Sequence, residues 1–236
     1  MIGAGRLGFA LVEQFRASGV EVTGPLGRGA DGDGFGAVLL CVPDGEIGRA
    51  AALLKPGRLV GHCSGATGLD VLDPHEAFSM HPLMTVTAEG ADFRGAGAAV
   101  AGSTPQALWL AQTLAERIGL EPVAISEGDR ATYHAAASVA SNFLVTLEAA
   151  AERLATAAGL ERRLLAPLVR ATVENWARLG GERALTGPVA RGDASTVAAQ
   201  RQAVAERAPE LLELFDAMVT ATESLARQSH RELTAR

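Results

Sequence analysis

The first eight residues constrain the fold more than any other stretch, because Gly3, Gly5 and Gly8 form the pattern G-x-G-x-x-G directly before a helical pattern. In a dinucleotide-binding βαβ unit the three glycines allow a tight turn, a close approach of a pyrophosphate and close helix packing, respectively. The pyrophosphate then binds N–H groups at the helix N-terminus. We therefore predict a cofactor-binding turn; its residues are Gly3, Ala4, Gly5, Arg6, Leu7 and Gly8. A glycine-rich turn before a surface helix is the alternative.

The first strand is short in this sequence, since only Met1 and Ile2 precede Gly3. A strand usually contributes about five residues. We therefore expect the natural start to lie upstream, with the sequence clipped in its first strand.

Composition excludes several partners. The chain has 236 residues, of which 48% are hydrophobic, so it can bury a sizeable core in one large domain or two modest ones. A net charge of −6 without a basic run argues against nucleic acid and anionic membranes. No membrane span or signal peptide is visible, which predicts a cytoplasmic protein. We interpret Cys41 and Cys63, in apolar strand-like runs, as reduced and buried.

The hydrophobic pattern changes near residue 127. Before it, predicted strands alternate with predicted helices; the strands are 20–23, 37–42, 58–62, 77–80, 98–101 and 122–125, and the helices 46–54 and 105–118. This alternation predicts an α/β Rossmann domain, doubly wound around a mostly parallel sheet. After it we predict only helices, at 129–158, 162–179, 194–207 and 209–228. We therefore predict a Rossmann domain at 1–127 and an all-helical substrate and dimerisation domain at 128–236.

The end of the second predicted strand indicates the cofactor. An NAD-binding unit has an acidic residue there for the ribose 2′-hydroxyl. This chain has Thr23-Gly-Pro-Leu-Gly-Arg28 instead. Because an arginine suits a 2′-phosphate, we predict NADP, with Arg28 as its ligand. A solvated loop arginine is the alternative.

Residues that follow two other predicted strands are further cofactor candidates. Ligands of open α/β sheets bind at the carboxyl ends of the strands. Val42 and Pro43 end one strand, and Ser64 and Gly65 end the next, so we expect these loops to face the ribose and nicotinamide. The alternative is that these residues only form the turns that follow the two strands.

The histidines and cysteines do not form a predicted metal site. His62 and Cys63 are strand neighbours, whose side chains point to opposite faces, and no compact ligand spacing is present. His81 follows a short strand, and we interpret it as part of a substrate pocket wall or, equally, as a structural histidine. Lys55, the single lysine, lies where a helix runs into a turn, which argues against a lysine mechanism.

One face of the long predicted helix carries polar groups. His134, Ser138 and Asn142 are spaced four residues apart, so they share a face with small residues. We predict that this face is catalytic; the alternative is a helix interface with an internally hydrogen-bonded histidine. In a later loop, Arg191 is a candidate for binding a substrate carboxylate, and Asp193 is expected to cap the next helix.

Taken together, these stretches resemble the bacterial Rossmann-like oxidoreductases whose helical C-terminal half is known only as a domain of unknown function. The resemblance covers nearly the whole chain; it rests on Ile2-Gly-Ala-Gly-Arg-Leu-Gly8, Gly24-Pro-Leu-Gly-Arg28, Leu40-Cys-Val-Pro-Asp44, His62-Cys-Ser-Gly-Ala66, His81-Pro-Leu83, Tyr133-His-Ala-Ala-Ala137 with Ser141-Asn142, and Leu185-Thr-Gly-Pro188 with Arg191-Gly-Asp193. It implies NADP binding, a helical second domain of the 6-phosphogluconate dehydrogenase type and a homodimer through that domain.

The wider superfamily includes ketopantoate reductase and β-hydroxyacid dehydrogenases, which carry a catalytic lysine four residues before an asparagine. Here Asn142 matches the asparagine and Ser138 replaces the lysine, so His134 becomes the candidate proton donor. We expect hydride transfer between NADP(H) and a small carbonyl or imine, including a ketopantoate-type 2-oxo acid. A non-catalytic NADP(H) sensor or scaffold, and hydride transfer between NADP and a deazaflavin, are the alternatives.

Overall fold

Strands and helices occupy different parts of the chain. The computed structural model describes residues 1–27 and 29–234, with the backbone alone for 229–234. Within these residues the last strand ends at Ala124, and helices follow. Contacts divide the chain into two units, Met1–Asn142 and Phe143–Arg236, so the first unit extends beyond the last strand. The domain boundary at residue 127 stays a prediction.

A mostly parallel sheet forms the centre of the first unit. Its five strands lie in chain order; they are β1 (Ala37–Leu40), β2 (Leu59–His62), β3 (Glu76–Pro82), β4 (Gly97–Gly102) and β5 (Glu121–Ala124). All neighbours pair in parallel except β3 and β4, which are antiparallel. The predicted α/β fold class, a Rossmann-like sheet followed by a helical region, is confirmed.

Helices cover both faces of this sheet. The helices of the first unit are α1 (Arg6–Ala17), α2 (Ile47–Ala51), α3 (Pro105–Arg117) and α4 (Arg130–Ser138). Successive residues of β1 point to opposite faces, as the strand period of two requires. Leu39 packs into the core cluster that contains residues of α1 and α3, whereas Val38 and Leu40 pack into the cluster that contains residues of α2.

Small residues bring α3 close to the sheet. Ala107, Ala111 and Ala115 recur every fourth residue and are fully buried. Gly102 at the end of β4 has no room for a side chain, because a β-carbon there would overlap the backbone of Leu108. The Thr104 hydroxyl caps α3 by accepting a hydrogen bond from the N–H of Ala107.

The second predicted strand, at 20–23, is wrong: these residues form no strand. Val20 and Val22 pack against the core, but the pairing lies further along the chain. Leu26 forms an isolated parallel bridge to Ile2, which in turn bridges to Leu40. Pro25 has no N–H to donate, so a continuous ladder cannot form there.

The second unit is helical throughout its described residues. A π turn (Val139–Phe143) joins α4 to α5 (Leu144–Ala157) along the chain, and the helices that follow are α6 (Arg162–Leu179), α7 (Gly181–Ala184), α8 (Ala194–Arg207) and α9 (Leu212–Thr234). Asp193 caps α8 by accepting a hydrogen bond from the N–H of Thr196 at 3.0 Å, which confirms its expected role. In the part of the chain described, every helix is too short or too polar to cross a membrane.

Candidate active site

The glycine-rich turn has a conformation that leaves one side open. Gly3 has a φ of +116°, and a side chain there would overlap the carbonyl of Cys41. Gly8 lies against the carbonyl of Gly3, so α1 can start only because no side chain intervenes. Around Gly5, by contrast, no atom of the described residues lies within 4 Å of a β-carbon position. A ligand can therefore approach the backbone at Gly5.

The N-terminus of α1 is suited to an anion. Within the described residues, Gly5 at the N-cap supplies no side-chain cap, and the first turn contains no acidic residue. Backbone N–H groups of a first helical turn lack intrahelical partners and carry a partial positive charge. Arg6 is exposed in this turn, with Ala4 beside it. These features fit the pyrophosphate of a dinucleotide.

The loop after β1 forms a small cavity with the segment before it. Val42 and Pro43 line a cavity of about 100 Å³ together with Gly29 and Ala30. Arg49 lines the same cavity and forms an exposed ion pair with Glu46 at 3.0 Å. Arg28, the predicted ligand of a 2′-phosphate, lies outside the described residues. Arg49 was not predicted, because an arginine inside a short helix gives no separate signal.

Ser64 connects the loops that follow β1 and β2. Its hydroxyl donates a hydrogen bond to the carboxylate of Asp44 at 2.8 Å and accepts from the N–H of Thr67 at 2.9 Å. Two strand ends are thereby held side by side. Through these hydrogen bonds, Ser64 stabilises the conformation of the loop that contains Gly65.

His62 is buried and neutral. The N–H of Ser64 donates to its Nδ1 at 3.2 Å, so we assign the proton to Nε2, which donates to the carbonyl of Gly68 at 3.0 Å. Burial lowers the pKa of His62. Among the described residues no group of three or more histidines, cysteines and acidic residues could hold a metal ion.

A cavity of the first unit has a volume of about 490 Å³. Its lining comes from the end of β3 and from α4 with the π turn; it consists of His81, Pro82, Leu83, Met84, Thr85, Tyr133, His134, Ala136, Ala137, Ser138, Ala140, Ser141 and Asn142. The cavity brings His81, which was predicted separately, together with His134, Ser138 and Asn142, which were predicted to share one helix face. Their catalytic and substrate-binding roles stay predictions.

The π turn broadens the polar face of this helix. In a regular α-helix the residues on one face recur at intervals of three or four. Here Ser141 and Asn142, within Val139–Phe143, line the cavity together with Ser138. A π turn closes its hydrogen bond over five residues instead of four and is frequent at functional sites. The sequence predicted a continuous helix because alanine-rich segments carry no signal for such a turn.

His81 is held in place by Tyr133. The Tyr133 hydroxyl lies 2.7 Å from Nδ1 of His81, and the two rings meet edge to face at 5.6 Å. Burial, together with the nearby His134, lowers the pKa of His81 to about 4, so His81 is neutral at neutral pH. Burial also raises the pKa of Tyr133. Tyr133 is the single tyrosine of the chain. Its position directly before His134 in the sequence was the feature that could have indicated its role in the site.

Gly65 fits closely between the two histidine rings. A β-carbon at Gly65 would lie 2.9 Å from Cδ2 of His134 and 2.9 Å from Cε1 of His81. The ring centroids of these histidines are 6.1 Å apart. The loop after β2 is thus in direct contact with the cavity wall, and its predicted role beside the ribose and nicotinamide stays a prediction.

Comparison with protein families gives a match to residues 96–222, described as a domain of unknown function, DUF2520. The chain belongs to this family. The matched segment contains the polar helix face of His134, Ser138 and Asn142, and also Arg191. No protein of curated function matches the sequence.

Structures of other proteins are similar to this DUF2520 chain over most of its length. A Bacteroides fragilis protein named as a candidate NADP oxidoreductase is 17% identical, with a TM-score of 0.80 over 94% of this chain and 96% of that one. Protein TM1727 of Thermotoga maritima is 27% identical, with a TM-score of 0.74 over 81% and 79%. The imine reductase of Streptomyces aurantiacus is 15% identical, with a TM-score of 0.65 over 96% and 97%. These similarities establish the Rossmann-like fold.

Two charged residues complete the description of this DUF2520 chain. Arg130 is almost fully buried at the start of α4, where its guanidinium lies 3.3 Å from the hydroxyl of Ser79 and 3.3 Å from the carboxylate of Glu127. No local sequence pattern predicts a buried arginine at this position. Arg191 lies exposed in the loop before α8, in the second unit, and its role in substrate binding stays a prediction.

Proposed function

We propose that the chain is an NADP(H)-dependent oxidoreductase that transfers hydride to or from a small carbonyl or imine substrate in the cavity of His81 and His134. The observation that carries this proposal is the convergence of His81, His134, Ser138 and Asn142 on one cavity. Such a pocket with a few convergent polar groups is typical of a small-molecule site.

The cofactor fits the turn at the start of the chain. Gly5 leaves space for a pyrophosphate, and α1 presents its N-terminal N–H groups to it. Val42 and Pro43 would contact a ribose of the cofactor, with Arg28 or Arg49 as the candidate for the 2′-phosphate. When bound, NADPH supplies the hydride, and the protein orients both reactants. The name of the Bacteroides fragilis structure and its fold support NADP as the cofactor.

A chain of contacts links this turn to the cavity. Cys41, which lies against Gly3, follows β1, and Asp44 of the same loop accepts the hydrogen bond of Ser64. Gly65 then touches the rings of His81 and His134. The cofactor turn and the cavity therefore belong to neighbouring strand ends, which suits direct transfer between a cofactor and a substrate.

The residues of the cavity have distinct proposed roles. Asn142 and Ser138 donate hydrogen bonds to the substrate oxygen or nitrogen as negative charge develops there. His134 supplies the proton that completes the reduction. His81 is neutral because its pKa is about 4, so it does not act as the acid; with Tyr133 it holds the cavity wall beside His134.

The cavity lining indicates the substrate class. Its residues, all of them described, include no lysine, arginine, aspartate or glutamate. A neutral ketone, aldehyde or imine fits such a lining without an unpaired buried charge. A ketopantoate-type 2-oxo acid would need a cationic partner, for which Arg191 is the candidate from the sequence. The fold shared with an imine reductase supports a C=N substrate.

The second unit is proposed to form a homodimer interface. No residue of α6 is buried, and all of this helix is described. Leu168 is 65% exposed and Trp176 is 59% exposed, with Leu164 and Val173 also exposed on the same helix. Exposed large apolar side chains on one helix fit a two-fold interface between copies of the chain. A cytoplasmic location stays a prediction.

One observation favours a non-catalytic sensor as the second candidate. Ser138 occupies the position at which the wider superfamily has its catalytic lysine, and a serine cannot deliver a proton at neutral pH. A sensor would use the same cofactor turn and would respond to the bound nucleotide without turnover.

A substrate screen separates the two candidates. The purified chain is mixed with NADPH and, in turn, with neutral ketones, cyclic imines, 2-oxo and 3-oxo acids, and a deazaflavin, and nucleotide oxidation is followed by absorbance. We expect turnover with a neutral carbonyl or an imine, which His134→Ala loses while it still binds NADPH. Glu116→Ala, at an exposed position of α3 outside the cavity lining, is the control and should retain wild-type rates. Saturable NADPH binding without any turnover would instead support the sensor.

A further inference from the structure

Two cysteines occupy paired positions on neighbouring strands. The register of β1 and β2 places Leu40 opposite His62, and the N–H of Cys63 donates to the carbonyl of Leu40 at 3.3 Å. The next pair along the strands is therefore Cys41 and Cys63, whose sulfur atoms lie 3.7 Å apart. Neighbouring strands are about 4.8 Å apart. This spacing falls within the range of about 4.4–6.8 Å between α-carbons that a disulfide spans.

The cysteine pair lies directly against the glycine-rich turn. The Cys41 carbonyl abuts Gly3, and the Cys41 β-carbon lies 3.5 Å from the position that a Gly8 β-carbon would occupy. The N–H of Cys41 also donates to the carbonyl of Ile2 at 2.7 Å. Because protein interiors are close-packed, a displacement of Cys41 is transmitted to this turn.

We propose that hydrogen peroxide converts Cys41 and Cys63 into a reversible disulfide, and that this modification weakens NADP(H) binding at the Gly3–Gly8 turn. The effect on NADP(H) rests on the proposed function. The formation of the disulfide rests on the geometry of the two thiols alone.

The oxidation balances with peroxide as the oxidant. The Cys41 thiolate attacks one peroxide oxygen and releases hydroxide, which takes up the thiol proton to give water and leaves a sulfenic acid on Cys41. The Cys63 sulfur then attacks the Cys41 sulfur, the S–O bond breaks, and a second water leaves. Two thiols and one peroxide thus give one disulfide and two waters. A dithiol reductant reverses the reaction by thiol–disulfide exchange.

The order of these steps follows from exposure. Cys63 is 7% exposed, whereas Cys41 is partly exposed. The hydrogen bond to Cys41 and burial together raise the pKa of the Cys63 thiol well above its ordinary value. Cys41 is therefore the residue that meets the oxidant, and Cys63 resolves the sulfenic acid. The sulfur atoms must then approach from 3.7 Å to about 2.05 Å, which displaces Cys41 where it packs against Gly8.

The test treats the whole purified chain with hydrogen peroxide, blocks remaining thiols and maps the peptides by mass spectrometry. We expect a linked pair of peptides that contain Cys41 and Cys63, separated again by a dithiol. NADPH affinity, measured by fluorescence titration, should fall about tenfold on oxidation, because small displacements of a packed element change a site strongly. The same dithiol should restore it.

Matched variants decide the outcome. Cys63→Ser keeps the volume but lacks the second thiol, so peroxide at a dose that links the wild type should leave its NADPH affinity unchanged. Sulfinic acid on Cys41 with a free Cys63 thiol would overturn the proposal, as would a linked pair that leaves NADPH affinity unaltered. If the reduced chain binds no NADPH, the proposed function fails together with the effect on binding, while the peptide map still decides whether the disulfide forms.

Discussion

Gly65→Ala tests the contact between the loop after β2 and the cavity. Gly65 is not among the glycines with a positive φ, so alanine fits its backbone and the change is purely steric. The new methyl group would lie 2.9 Å from ring carbons of both His81 and His134. Carbon atoms prefer about 3.5–4.0 Å, so each ring must move back from the methyl group by roughly 0.6–1.1 Å. The hydrogen bond to Tyr133 resists movement of His81.

The expected losses follow from these distances. Overpacking of this kind costs about 1–3 kcal/mol of stability. A misplacement of about 1 Å at a reacting centre costs on the order of a hundredfold in rate, so kcat should fall by about that factor. NADPH affinity should change much less, because the Gly3–Gly8 turn is not in contact with the new methyl group. The assay is steady-state kinetics on the substrate found in the screen, together with thermal unfolding of the wild type and of Gly65→Ala.

A control glycine makes the result interpretable. Gly36 has no atom of the described residues within 4 Å of its β-carbon position, and its φ is not positive. Gly36→Ala should therefore leave rate and stability near the wild type. If Gly65→Ala also retains the wild-type rate and melting temperature, the packing of the two histidines around Gly65 does not constrain the cavity, and the reasoning is refuted.

The remaining predictions concern other parts of the site. The pKa of His81 is near 6.5 in the unfolded chain and about 4 in the folded chain. The wild type should therefore lose stability relative to His81→Asn as the pH falls from 6.5 to 4, by at most roughly 3 kcal/mol. Parallel curves of stability against pH for the two proteins would contradict this. Asn142→Ala should reduce turnover about a hundredfold at unchanged NADPH affinity, and a normal rate would exclude a role on the developing charge. Arg28→Ala should abolish a preference for NADP over NAD, a prediction that fails if the wild type binds both equally. Light scattering should give a dimer for the wild type and a monomer for Leu168→Glu; a monomeric wild type would remove the proposed interface.

Much of the fold could be predicted because its signals are local. The bounds of α6 and α8 coincide with the predicted segments 162–179 and 194–207, since helical periodicity is strong there and Asp193 caps the second of them. The segment 20–23 shows the limit of such signals. A strand was predicted there from its residue types, but strand pairing depends on a distant partner and on Pro25, which a local pattern does not include.

The site was predictable in its parts but not as an assembly. His81 and His134 were both candidates, yet only the tertiary structure brings their rings together around Gly65. The roles of Tyr133 and the buried Arg130 depend on long-range contacts with β3, which no local pattern contains. Arg28 lies outside the described residues, so its prediction still depends on sequence alone.

Because of the π turn at Val139–Phe143, the width of the polar face depends on a single residue of the chain. A turn that closes over five residues holds one residue more than its α-helical counterpart, and the ordinary hydrogen-bond ladder resumes on both sides. Deleting one residue there would restore a regular helix without altering the composition of either flank. Insertions and deletions at this point can thus change which side chains line the cavity, whereas point substitutions can change only their chemistry.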